Sequence, residues 1–344
     1  MPYTSTVYAH YMSGEFYHSG DTIIVNASTQ EYVIPDNPID PPDPYLPPDE
    51  PDEPDDTVPT VDPLHPNIPT VSSSYSVGTP KGELTVNGTG AAQYQLAIAC
   101  PDGGGLNPQI ALSYNSQSTG YGLAGCGFTV MGLSAITRGG KDLFHDGDIA
   151  GVTYTDNDNL FLDGKRLILK SGIKYQEGAI YCLEGDPYTK IIIHGNYSDN
   201  LTNIWFEVKT TDGKTYQYGN IGNNSNACIR YKNKGNKEHV SSWYLNRVDD
   251  VYGNYMLYQY TVSNLYAYIS TITYGLNSNK SRGITNKVSF EYQSLGSDYQ
   301  YFHIEDQTGR IDRCISAITT TCNGAVYRKY VLSYDNTSDQ STVK

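Results

Sequence analysis

The side chains that could do chemistry are thinly spread in this chain. Seven histidines (His10, His18, His65, His145, His194, His239 and His303) lie far apart, and none stands at a known ligand or triad spacing. There is no G-x-S-x-G nucleophile elbow, no H-E-x-x-H and no phosphate-binding loop. The six cysteines (Cys100, Cys126, Cys182, Cys228, Cys314 and Cys322) include no C-x-x-C pair of the kind a zinc site needs. Cys314 and Cys322 read as residues of one strand, eight positions and roughly 26 Å apart, too far to bridge within it. Free thiols are therefore expected. One stretch offers oxygen ligands at alternating spacing, His145-Asp146-Gly-Asp148 followed by Asp156-Asn-Asp158-Asn. Asp146, Asp148, Asp156 and Asp158 are the calcium candidates. The full D-x-D-x-D-G pattern with its distal Glu is missing, and Asp and Asn are also what turns require. Turns are the preferred reading, and no cofactor is expected.

These groups must be positioned by a mainly β chain. Tyrosine dominates the aromatics, with 32 tyrosines against 7 phenylalanines and 2 tryptophans. It favours pleated, half-buried surfaces, and no long 3.6-residue apolar period competes. The formal charge of −14 is local. Residues 1–80 hold 13 acidic side chains and no Lys or Arg, which leaves 24 acidic and 23 basic residues in the body. The body forms no basic stripe, so nucleic acid is not an expected partner. No segment reaches 18 apolar residues, so no membrane-spanning helix is expected. The N-terminus lacks the basic and apolar regions of a signal peptide, which leaves a removed leader, a fragment or leaderless export open.

Three segments follow from composition. Residues 1–34 read as a short β remnant of an upstream module. Residues 35–70 form an acidic linker, with 13 of the 18 prolines between Pro35 and Pro69; charge repulsion and the lack of apolar surface predict a disordered, extended spacer. Residues 71–344 read as one β domain of antiparallel hairpins, an open, shell-like or sandwich-like assembly. Ala92–Ala99 alternates like a half-buried strand. Asp163-Gly164, Asp212-Gly213, the Asp250 to Asn254 segment with Gly253, and Asn323-Gly324 each separate two apolar runs as hairpin turns do.

The organising stretch runs from Ala99 to Arg138. It holds eight glycines between Gly103 and Gly132, too many for a helix, where each costs roughly 1 kcal/mol against Ala. They suit a backbone that turns sharply and packs closely. Two strands, Ile110–Tyr114 and Phe128–Ile136, are expected to fold back as neighbours.

The order of residues in this stretch resembles the N-terminal domain of the SpvB family, which includes the B components of insecticidal Tc toxins and relatives of the Rhs (YD-repeat) proteins. The matching positions are Pro101, Gly103, Leu106, Pro108, Leu112, Ser113, Tyr114, Asn115, Ser116, Gly120, Gly122, Leu123, Gly125, Gly127, Gly132, Leu133, Ser134, Ile136 and Arg138. The family has Gly-Trp where this chain has Gly127-Phe128. Further on, the segments around Asp163-Gly164, Asp212-Gly213 and Asp250, Gly253 and Asn254 are similar to family segments, the last to the form that recurs in YD-repeat shells.

The resemblance covers about residues 80–335. It implies a structural, non-enzymatic role, as the opening part of a β-shell that carries or encloses a C-terminal effector. The implied partners are the rest of the polypeptide or toxin-complex subunits. The implied location is extracellular or at the bacterial surface, with host cytoplasm possible. Some family members carry an ADP-ribosyltransferase with an E-x-E pair; this chain has no E-x-E, so that activity does not carry over. The competing expectation is an adhesin-like module that binds glycan or protein through exposed tyrosines.

Overall fold

The computed structural model describes residues 3–6, 22–24 and 82–335, apart from 119, 196–202, 220–225, 281–284 and 297–298. The expected acidic linker lies outside the described residues. The described chain is mainly β and antiparallel, with one four-residue helix.

Two short strands belong to the N-terminal region, β1 (Tyr3–Thr6) and β2 (Thr22–Ile24). A four-stranded sheet follows, built from β3 (Gly82–Val86), β4 (Ala92–Ala97), β5 (Ala111–Asn115) and, after the small hairpin of β6 (Tyr121–Gly122) and β7 (Gly125–Cys126), β8 (Phe128–Met131). Its period-2 pattern sorts the faces. Leu96 stands opposite Leu112 and Tyr114 opposite Phe128 on the apolar side, while Gln95, Ser113 and Thr129 line the other. The expected pairing of the two organising strands is therefore present. The second strand is shorter than its apolar run, however. At Gly132, with φ +89°, the chain leaves this sheet and β9 (Ala135–Gly139) starts in another. A Cβ on Gly132 would stand 2.0 Å from the Gln109 carbonyl oxygen. Only glycine allows that turn and that approach together.

β9 opens a closed barrel. After it come α1 (Leu143–Asp146), β10 (Asn159–Leu162), β11 (Lys165–Ser171), β12 (Ile180–Leu183), β13 (Asp186–His194), β14 (Trp205–Lys209), β15 (Thr215–Tyr218), β16 (Cys228–Lys232) and the long β17 (Glu238–Asp249). The ring of eight runs β9-β10-β11-β12-β13-β14-β15-β17 and closes where Ser242, Trp243 and Tyr244 of β17 pair with Thr137, Ile136 and Ala135 of β9. Closure removes the edges that a run of hairpins would otherwise leave exposed. The Asp163-Gly164 turn joins β10 to β11 with φ of 49° and 81°, the double left-handed geometry of a two-residue hairpin.

β17 belongs to two structures at once. Its first half pairs with β9 and β16, and its second half with β15 and β18 (Asn254–Ser263). From β18 the sheet continues through β19 (Tyr266–Asn277) and β20 (Asn286–Ser294), steps past the hairpin of β21 (Gln300–Ile304) and β22 (Gln307–Ile311), and ends with β23 (Arg313–Cys322) and β24 (Ala325–Val331), before β25 (Ser333–Asp335). β1 pairs parallel to β24, and β2 antiparallel to β25. The result is one sheet of 15 strands that is closed at one end and open at the other. The four-stranded sheet is tied to the open part. The Ala99 amide donates to the Tyr330 hydroxyl at 2.9 Å, the Tyr274 hydroxyl to the Pro101 carbonyl at 2.9 Å, and the Ile315 amide to the Leu123 carbonyl at 2.8 Å.

Candidate functional site

Arg138, the last residue of the organising stretch, points into the barrel and is the best-built polar site in the described chain. Its guanidinium is almost fully buried beside the equally buried Asp158 carboxylate, with Nη1 3.2 Å from Oδ2. Nε donates to the Val240 carbonyl at 2.7 Å, and Nη1 to the Thr155 carbonyl at 2.8 Å and the Tyr175 hydroxyl at 3.3 Å. The ring faces of Tyr175 and Trp243 lie 5.2 and 5.4 Å from the guanidinium carbon. Tyr175 reaches this place from a left-handed backbone, φ 60°, with its amide held by the Tyr181 hydroxyl. Asp158 also accepts from the Thr153 amide and hydroxyl, both at 2.7 Å. A buried ion pair of this kind gains little net energy, but each partner is indispensable to the other. It fastens the 153–158 loop across the barrel end.

A second cluster lies on the barrel rim. Asp142 caps α1 by accepting from the His145 amide at 2.8 Å, and Gly147 ends it in the left-handed conformation. His145 Nδ1 lies 2.8 Å from the Asp142 carboxylate and Nε2 2.7 Å from Glu184. Arg166 reaches Asp142 at 2.9 Å and Asp146 at 2.5 Å. Donating to the Glu184 and Asp142 carboxylates raises the His145 pKa, and Arg166 holds Asp146 down to about 2. A histidine with both nitrogens on carboxylates has no free lone pair to activate a hydroxyl, so this is a clamp rather than a general base.

The calcium candidates do not converge. Asp146 belongs to Arg166 and Asp158 to Arg138, Asp148 accepts from the Ile149 amide that follows it at 2.9 Å, and Asp156 is exposed in a turn. Among the described residues, no three His, Cys, Asp or Glu side chains gather as a metal-holding group. The described histidines likewise serve separate places. His194 stacks on Trp205 at 4.0 Å and meets Glu177, and His239 lies against the Tyr154 carbonyl and Asn233. The six cysteines form no disulfide with one another, and burial pushes Cys100 up to about 11.

The motif residues act on backbone. Pro101 supplies the carbonyl that Tyr274 binds, Gly103 donates to Asn107 at 2.7 Å, and Pro108 is buried. Tyr114 meets the Phe128 ring at 4.8 Å, Asn115 bonds the Gly127 carbonyl and the Gln117 amide, and Ser116 ties back to Ala92. Gly120 accepts from the Gly127 amide at 3.1 Å, and Gly125 and Gly127 have φ of 95° and 74°. Asp163 receives the Ser134 hydroxyl at 2.6 Å and the Ala135 amide at 3.0 Å, which locks the Asp163-Gly164 turn against the start of β9. Asp212 is held to about 2 by Lys214 in the turn that Gly213 completes. Asp250 accepts from the Tyr252 and Asn254 amides and the Asn254 side chain, with Gly253 at φ 79°.

The tyrosines complete this pattern. Tyr260 donates to the Leu245 carbonyl at 2.9 Å, Tyr292 to Ile269 at 2.7 Å, and Tyr334 to Ile315 at 2.6 Å. Tyr218 shares a hydrogen bond with Ser134 at 2.9 Å, and Tyr231 donates to Glu305 at 3.0 Å. The rings lie in the core or against it, and the hydroxyls of Tyr260, Tyr292 and Tyr334 bond backbone carbonyls of buried residues. The periodicity placed tyrosines on strands but gave no sign of Asp142, Arg166, Glu184 or Tyr175 as partners, because those contacts join residues remote in sequence.

The fold has known counterparts. A crystal structure of TcdB2-TccC3 superposes with a TM-score of 0.52 at 16% identity, over 70% of this chain and 14% of that one. The Tc holotoxin pore of Photorhabdus luminescens, carrying a TccC3 mutation, matches at 0.52 and 15% identity, over 70% and 13%. The N-terminal domain of the effector SpvB from Salmonella typhimurium strain LT2 aligns at 0.49 and 13% identity, over 65% and 86%. At these identities the likeness is one of fold, and the toxin-complex structures give it as the Tc-B-like fold that the sequence resemblance implied. This chain spans about one seventh of the TcdB2-TccC3 chain. No family model matches the sequence, and neither does any curated protein.

Proposed function

We propose that this chain is a non-catalytic structural domain of a secreted toxin or surface protein of the SpvB, Tc-B and Rhs kind, forming part of a β-shell that carries or encloses a C-terminal effector. The observation that supports this most is the single sheet that is closed as a barrel at β9–β17 and open as a meander from β18 onward. A sheet of this kind can serve as a wall with one finished end, and its likeness in fold to a small part of a much longer toxin chain supports the reading as a shell component. The charged clusters support the same reading, since Arg138, Arg166 and His145 all bind the protein's own carboxylates. The partners are then the rest of the polypeptide or toxin-complex subunits, and the place of action is extracellular, at the bacterial surface or in a host cell.

The test is cryo-electron microscopy of the natural full-length product together with limited proteolysis. The expected result is residues 82–335 in the wall of a closed particle, with any effector segment cleaved far more slowly than the same segment expressed alone. An effector cleaved at the free rate would overturn the proposal. The competing reading, a glycan-binding module, draws on the exposed Tyr188, Tyr252 and Tyr301. It predicts that Tyr→Ala changes at these positions abolish binding on a glycan array without changing the melting temperature.

A further inference from the structure

One strand at the open end of the sheet comes from outside the β domain. β1 lies parallel to β24, with Tyr3 opposite Arg328, Thr4 opposite Lys329, Ser5 opposite Tyr330 and Thr6 opposite Val331. Every other strand pairing among the described residues is antiparallel. Hairpins generate antiparallel neighbours, whereas a parallel partner needs a long connection. Here β1 joins the β domain through residues 25–81, which include the proline-rich acidic run. Extended as polyproline II, residues 35–69 alone could reach on the order of 100 Å. β1 is thus a tethered strand and not a continuation of the meander.

β2 adds a second contact at the same end, pairing Thr22 to Ile24 with Asp335 to Ser333 of β25. Charge favours the docking too. Residues 1–80 carry 13 acidic and no basic side chains, while β24 offers Arg328 and Lys329, the latter also 3.3 Å from Glu291. The edge has length to spare. β1 covers residues 328–331 and leaves Ala325, Val326 and Tyr327 with no strand on that side among the described residues. A sheet edge of this kind accepts an extended peptide through backbone bonds alone.

We propose that the β24 edge is a strand-acceptor site and that residues 3–6 are its tethered ligand, an extended peptide bound in parallel and exchangeable for the same peptide in trans. This goes beyond the shell reading and does not depend on it. The linker holds β1 near its site at about millimolar effective concentration. A four-residue ladder, weak between separate molecules, is thereby kept filled, and the edge is closed to association with other edges.

The test uses the full chain with a protease site inserted after Thr57, cut in the folded state. The probe is a fluorescent peptide of residues 1–24. The cut protein is expected to take up the probe in exchange for the released fragment. The uncut protein should bind it at least about tenfold more weakly, because the tethered copy competes. Hydrogen exchange should slow at residues 325–331 as the probe binds. Amide directions alternate along a strand, so Thr4→Pro with Ser5→Pro removes whichever of the two faces β24. In the probe the two changes should abolish binding; in the uncut chain they should strengthen binding of the unsubstituted probe about tenfold. The proposal is overturned if the cut protein takes up no probe, or if the uncut protein binds it equally well. Binding undiminished by the two prolines in the probe, or protection that maps away from β24, overturns it as well. Should the substituted chain fail to fold, the cut protein and the two probes decide without it.

Discussion

Replacing Gly132 by alanine probes the point where the chain changes sheets. The left-handed backbone, φ +89°, costs an L-residue about 1–2 kcal/mol before any contact is considered. The added Cβ then meets the Gln109 carbonyl oxygen at 2.0 Å and Ile110 Cδ1 at 2.8 Å. The isoleucine can turn away, but the carbonyl is backbone held beside β5, so β8 and the lead-in to β5 must part. Overpacking of this kind costs about 1–3 kcal/mol. Together the terms come to about 2–5 kcal/mol, and at about 2–4 °C per kcal/mol for a domain of this size the midpoint falls by about 4–20 °C. Gly164→Ala is the control. Its φ is +81°, and a Cβ there meets nothing within 4 Å, so only the backbone term applies, about 1–2 kcal/mol or about 2–8 °C. Circular dichroism melts of the three proteins side by side read the difference. If Gly132→Ala and Gly164→Ala melt at the same temperature, the close approach has no energetic weight and the account of the sheet crossing fails.

Three further perturbations test the clusters. Asp158→Ala leaves Arg138 buried without its carboxylate and should lose about 3–5 kcal/mol in urea titration, against a smaller loss for Asp158→Asn; a loss under about 1 kcal/mol would show that the pair is solvated. On the rim, a His145 pKa raised in the fold means that its contribution is complete below about pH 6.5 and disappears as pH rises through the raised value. Asp146, held down to about 2, contributes above the usual carboxylate range near 4 and is lost as pH falls towards about 2. Protection of the Asp146 and Gly147 amides from hydrogen exchange, corrected for intrinsic rates, should therefore be greatest between about pH 4 and 6.5, and a profile flat from pH 5 to 9 speaks against the clamp. Tyr260→Phe removes a donor to the buried Leu245 carbonyl and should cost about 1–3 kcal/mol, whereas Tyr301→Phe at the surface should cost nothing measurable; equal melting temperatures for the two would contradict the role given to the hydroxyls.

The local features were legible in the sequence because they are local. Asp163-Gly164 announces its turn by residue type, since both positions need positive φ, and the strands on either side follow from alternation. The pairing of Ile110–Tyr114 with the run from Phe128 was legible for the same reason, although Gly132 as the end of that strand was not. An unbroken apolar run through Ile136 looks like one strand until the Gln109 carbonyl is seen against Gly132. The hairpin of β21 and β22 and the edge strand β3 carry too few apolar residues to stand out. Closure of the barrel was illegible in principle, because it rests on three residue pairs more than 100 positions apart, Ser242 with Thr137 and their two neighbours. Arg138 was visible only as a motif letter. Its partner Asp158 was read as a turn residue or cation ligand, since nothing in D-N-D-N says that an arginine 20 positions away will claim one carboxylate.

The abundance of tyrosine over phenylalanine now has a physical reason in this fold. A sheet that closes at one end and fans out at the other cannot keep a uniform ladder. Register shifts occur within the pairs β11–β12, β12–β13, β15–β17, β16–β17, β18–β19, β20–β23 and β23–β24. Each irregularity displaces backbone groups from their ladder partners in the interior, where an unmet carbonyl is costly. Phenylalanine would fill the volume and leave the carbonyl bare. Tyrosine fills the same volume and reaches about one further bond to donate, as Tyr260 does to Leu245 beside the β15–β17 shift, where the ladder resumes after the skipped Asn246, and as Tyr292 does to Ile269 at the β18–β19 shift. The same logic separates the two functional readings. A tyrosine whose hydroxyl is bound to the chain's own backbone cannot also present it to a sugar, so the buried Tyr260, Tyr274 and Tyr330 are committed to the core and not to a glycan-binding surface.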